Sequence, residues 1–136
     1  MDSTVSYKAF EINKSYRDII NDSIIWISDF NFINKELLFL KAIVKSNSFK
    51  SSIPNLFERL QLLIKDIDLL VENNNVIKEK VEKYKLKVTN ILNNNVFSFG
   101  EDLLENYEDI EKEIFEFNKK YKNFKAYLYE FLIEII

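Results

Sequence analysis

Residues 56–91, LFERLQLLIKDIDLLVENNNVIKEKVEKYKLKVTNI, decide the fold. Apolar side chains recur at Leu56, Leu60, Leu63, Ile67, Leu70, Ile77, Val81, Tyr84, Val88 and Ile91, with Asn74 standing in the same series. The steps alternate between three and four residues, which keeps one seam on one side of a helix over many turns. Two further stretches repeat the pattern. The earlier one reads Ala9, Ile12, Tyr16, Ile19, Ser23, Trp26, Phe30, Ile33, Leu37, Leu40, Val44. The later one reads Leu103, Tyr107, Ile110, Ile114, Phe117, Tyr121, Phe124, Leu128, Phe131, Ile135. Ser23 and Asn74 are the two polar interruptions.

The three seams register with one another in antiparallel order. Ile91 faces Leu103, Tyr84 faces Ile110, Ile77 faces Phe117 and Leu70 faces Phe124; the paired numbers add to the same total in every layer. Val44 with Leu56, Leu37 with Leu63, Phe30 with Leu70, Ile19 with Val81 and Ala9 with Ile91 do the same for the first pair. The intervening stretches, 45–51 and 93–97, are short and rich in Ser and Asn, and short connections force neighbouring helices to run antiparallel. Ser52 followed by Pro54 reads as a helix opening, and Ser98-Phe99-Gly100-Glu101 has the form of a capping box. Charge agrees. An acidic run from Glu101 to Glu116 lies opposite Lys78, Lys80, Lys83, Lys85 and Lys87, pairing Lys80 with Glu113 and Lys85 with Glu111.

The expected fold is therefore all-α: one domain over 1–136, an elongated antiparallel three-helix bundle or coiled coil with helices at about 6–46, 53–93 and 99–135. Asn73-Asn74-Asn75 is helix-breaking in character, and a break there would give a four-helix bundle instead. The outline, with Trp26 in the first helix, resembles spectrin-type repeats in architecture alone. That resemblance assigns no residue a role.

Composition narrows the chemistry. A single glycine and a single proline in 136 residues leave too few turn formers for a sheet. With neither cysteine nor histidine, the chain has no disulfide, no thiolate, no usual zinc site and no imidazole for proton transfer. No phosphate-binding glycine loop or nucleophile motif occurs, and a histidine-containing di-iron site cannot be built. The acidic run has its lysines opposite and reads as a solvated face, so neither metal nor cofactor is expected. The net charge of −3, with arginine only at positions 17 and 59, disfavours nucleic acid. The 2–14 stretch is charged and lacks the apolar core of a secretory signal, and the apolar 24–44 stretch carries Asp29, Lys35, Glu36 and Lys41. No membrane insertion and a cytoplasmic location follow as expectations for this acidic chain.

Two features remain as candidate sites. Trp26, Asn74 and Tyr121 fall in one layer beside Ser23, where a lone amide fixes register or three polar tips hold a small ligand. The second feature is apolar residues the seam does not need. Ile25, Phe32 and Phe39 lie seven apart outside the first seam, and Leu62, Leu69 and Val76 do so on the second helix at matching heights. Asp29, Glu36, Arg59 and Asp66 run beside them, and the third helix adds outward Phe115, Tyr129, Ile133 and Ile136. The matched stripes suggest a docking groove for a fourth helix, while Ile20, Ile27, Phe57, Ile64 and Val71 on the opposite flank would meet the third helix. The expected function is a non-enzymatic bundle acting by protein–protein binding, through self-association or as an adaptor. Alternatives are a small acidic helical chaperone or antitoxin-like protein masking an apolar client segment, and a ligand binder using the Trp26 layer.

Overall fold

The computed structural model describes residues 2–46, 49–50, 52–94 and 100–136, with side chains described from Tyr16 to Asn94 within those spans and from Leu103 onward. The seam positions Ala9 and Ile12 and the capping box at Ser98–Glu101 lie outside the described side chains. Three helices account for the fold: α1 (Asp2–Val44), α2 (Leu56–Asn93) and α3 (Gly100–Ile135), with no strand among the described residues. This is the all-α three-helix bundle that the seams call for.

The seam residues form the core. Phe30, Leu37, Ile67, Val81, Leu128 and Ile135 are almost fully buried, each side chain contributing roughly 1.5–3 kcal/mol by leaving water. They belong to a long cluster that runs from Phe30 down α1, along Leu63–Val81 of α2 and from Ile114 to the end of α3. Among the described residues a second cluster, of Tyr16, Ile19, Tyr84, Val88 and Leu103, lies beyond it. The backbones of α1 and α2 run closest together, and α3 stands further off. Side-chain size explains the asymmetry: α3 presents Tyr107, Phe117, Tyr121, Phe124 and Phe131 at its seam, and bulky residues set helices further apart.

α2 is continuous through Asn73–Asn75, so the four-helix alternative is not realised. Asn74 is fully buried and turns its amide away from its own backbone: Nδ2 donates to the carbonyl oxygen of Phe30 on α1 at 2.9 Å. The side chain that would compete with the helix is engaged across the bundle. Ser23, also fully buried, donates to the carbonyl of Ile19 one turn back at 2.7 Å.

α2 opens at Leu56, later than Ser52 and Pro54 suggested. Asn55 precedes it in the left-handed region (φ 55°, ψ 30°), with no side-chain cap bond. The delay has a packing reason. Ahead of the helix Phe49 and Ile53 pack against the core, and the Lys50 amide donates to the carbonyl of Ile135 at 2.9 Å. That bond satisfies one of the carbonyls a helix C-terminus leaves open.

α3 packs on the flank opposite to the one the sequence suggested. Glu36 of α1 meets Lys125 at 2.9 Å, Asp22 accepts from the Tyr107 hydroxyl at 2.7 Å, and Lys80 of α2 meets Glu113 at 2.8 Å. All three belong to the side that carries Ile25–Phe39 and Leu62–Val76. Ile20 and Ile27 instead border α2, with Lys85 and Leu86 in the same groove, so Lys85 faces α1 rather than Glu111. Lys41 and Asp68, paired at 2.7 Å, close that α1–α2 side.

Candidate functional site

The six stripe residues are all exposed, between 47% and 64%: Ile25, Phe32 and Phe39 on α1, Leu62, Leu69 and Val76 on α2. Their neighbours on the seam are buried, so the stripes are separate surfaces and not loose core. They do not form one groove. Heptad geometry puts each stripe just outside the positions that meet α3, and α3 occupies the space between them. The stripes therefore flank α3, one on each side.

On the α2 side, Leu69 and Val76 line a groove of about 630 Å³ with Asp66, Asn73, Lys120 and Phe124. On the α1 side, Ile25, Phe32 and Phe39 border the seam closed by Glu36 and Lys125. α3 adds Phe115, Tyr129 and Ile136 along its margin there, all exposed. Lys125 also lies over the Tyr121 ring at 4.5 Å, so this cation serves a carboxylate and an aromatic face together. Arg59 covers the Phe131 ring at 4.1 Å at the α2–α3 end.

Among the described residues no hydrogen bond joins Trp26, Asn74 and Tyr121 to one another. Asn74 reaches Phe30 and its Oδ1 has no protein partner; Tyr121 is buried and stacks on Phe117, its hydroxyl likewise unpartnered. Trp26, half-buried, lies against Tyr107 instead, ring centroids 5.5 Å apart. α3 is set differently against α1 than the seam totals implied, with Tyr107 beside Asp22 and Lys125 beside Glu36.

The titratable groups inside the bundle are phenols. Tyr84 donates to the Leu103 carbonyl at 2.6 Å, and burial, with a smaller contribution from Tyr16, pushes its pKa far above the usual tyrosine range. Burial does the same at Tyr107, helped by the Asp22 carboxylate it bonds and by Glu111. Both are structural donors, held neutral. Among the described residues no three acidic side chains converge to hold a metal, and no helix is long and apolar enough to cross a membrane.

Sequence reasoning placed the stripes and missed what divides them. The usable signal was charge at the flanking positions: Asp22, Asp29 and Glu36 share one edge of α1, and Lys125 is the matching edge of α3. No family model, curated protein or solved structure matches the chain.

Proposed function

We propose that this chain acts by binding protein through its apolar stripes, without catalysing a reaction. One observation carries the reading: six large apolar side chains at heptad spacing stand roughly half or more exposed beside a fully formed core. A bundle that needed them for stability would bury them, and aligned apolar surface of this kind marks interaction sites. The ligand-binding alternative has less support, because Asn74 is engaged by the Phe30 carbonyl and Trp26 lies against Tyr107.

Photo-crosslinking tests the reading without presupposing the partner. A photoreactive phenylalanine analogue at Phe32 or Leu69, in the full chain within its own cells, is expected to trap a protein, whether another copy or a different chain. The same group at Glu82, an exposed α2 position on the opposite flank beside Ile20 and Ile27, serves as the control. No adduct above that control at either stripe overturns the proposal. So does loss of the fold in a Phe32→Lys, Leu69→Lys variant, which would make those residues core.

A further inference from the structure

Resting on the reading that the stripes bind protein, we infer that the α1–α3 face takes a second copy of this chain. The two-fold axis runs parallel to the helices, so α1 of each copy lies against α3 of the other. Ile25, Phe32 and Phe39 line the α1 edge of this face, and Phe115, Tyr129 and Ile136 line the α3 edge. The pairs Asp22–Tyr107 and Glu36–Lys125 set α3 positions 85 to 89 residues beyond the α1 positions they stand beside. Ile25 is then within a turn of the height of Phe115, and Phe39 within a turn of Tyr129. The apolar clusters at the two heights match across the seam.

Charge selects the occupant and its direction. Lys122 stands exposed between Phe115 and Tyr129 and has no ion-pair partner among the described residues. α3 is basic at this height, through Lys119, Lys122 and Lys125, while the edge of α1 next to α3 is acidic, through Asp29 and Glu36; Lys35 stands on the far margin of the α1 stripe. In the parallel two-fold the acidic edge of each copy meets the basic edge of the other. Glu36 and Lys125 become a ring of four alternating charges, with Lys122 of one copy at the height of Glu36 of the other. An antiparallel two-fold covering the same stripes would centre on Phe32 and Lys122 and lay the three lysines on their own copies, which is repulsive.

Area agrees with a modest, stable dimer. At roughly 100 Å² exposed per large apolar side chain, these six supply about 600 Å² on each copy, and the charged rim brings the total towards the ~800 Å² per partner of a standard interface. A two-fold uses both edges of the face twice.

Light scattering after size exclusion on the purified full chain reads the assembly. The expected mass is twice that of the 16.3 kDa chain. Glu36→Lys and Lys122→Glu should each be monomeric alone, because each sets like charges across the axis at both ends. Mixed, they should form a heterodimer in which both contacts are restored. Since the chain has no cysteine, a second measurement avoids the Glu36–Lys125 pair. A Phe32→Cys chain mixed with a Lys122→Cys chain should form the mixed disulfide in preference to either homodisulfide.

A wild-type monomer across the micromolar range overturns the inference; stripe adducts with a different protein would then leave the binding reading standing. Dimers that survive both charge reversals, or mixtures that restore nothing and favour the homodisulfide of the Phe32→Cys chain, also overturn it. Absence of both dimer and stripe adducts removes the two proposals together.

Discussion

Tyr107 and Tyr84 each direct a phenolic proton to an interior acceptor, Asp22 and the Leu103 carbonyl respectively. Their pKa values are raised in the folded state, by burial first and then by Asp22 at Tyr107 and Tyr16 at Tyr84. In the unfolded chain both titrate at about 10. Above that pH the folded protein holds more protons than the unfolded one, so stability declines as pH rises, while below it these groups add no slope. Urea midpoints should agree at pH 7 and pH 9 and fall by pH 11, with the decline shallower in Tyr107→Phe. An equally steep decline in that variant would show that Tyr107 is not the source. Asn74 acts at the same scale but on specificity. An apolar residue there would accept any register that stacks the seams, whereas its Nδ2 donor finds a carbonyl only where α1 offers Phe30.

At the scale of elements, the opening of α2 rests on backbone conformation more than on a cap. Asn55 occupies the left-handed region that asparagine tolerates better than any β-branched or apolar residue. Asn55→Ala should cost roughly 1 kcal/mol and Asn55→Gly little or nothing, both read from urea unfolding. Equal loss in the two would mean that side-chain contacts, not conformation, fix the start. The helices themselves were legible because three- and four-residue steps allow one structure, and the α2–α3 register was legible because Lys80 and Glu113 sit at flanking positions. The flank chosen by α3 was not. Both flanks of the α1–α2 pair are apolar, with Ile20, Ile27, Ile64 and Val71 on one and Phe32, Phe39 and Leu69 on the other. Seam periodicity is blind to which side a third helix takes. The Lys50–Ile135 bond and the Glu36–Lys125 pair bear on that choice, and both need the tertiary structure to be read. The stripes were therefore legible as surfaces but not as two surfaces.

Across the whole molecule, the described core falls into two clusters that meet at a polar residue. The long cluster from Phe30 to Ile135 is joined to the small Tyr16–Leu103 cluster near buried Ser23, where Trp26 on one side touches Tyr107 on the other. Ser23 gives that junction almost no apolar area, and the small cluster depends on two phenol hydrogen bonds as well as on packing. Cooperative units part where the apolar contacts that join them are few, and the end whose described core leans on phenol hydrogen bonds is the one expected to open first. Under native conditions the end built from 16–20, 84–92 and 103–107 should open as a unit before the rest, with α1, α2 and α3 fraying together there. Amide hydrogen exchange measures this directly: protection free energies at that end should fall below those around Leu37, Ile67 and Leu128. Trp26→Ala should widen the gap, because it removes the aromatic contact that couples the clusters. Uniform protection along the bundle, unchanged in Trp26→Ala, would show that the two clusters unfold as one. If the ends separate as argued, the Phe39–Tyr129 half of the proposed dimer face rests on the stable end. Association should then survive opening of the other, so that exchange in the 16–20 segment stays fast in the dimer while the stripes are protected.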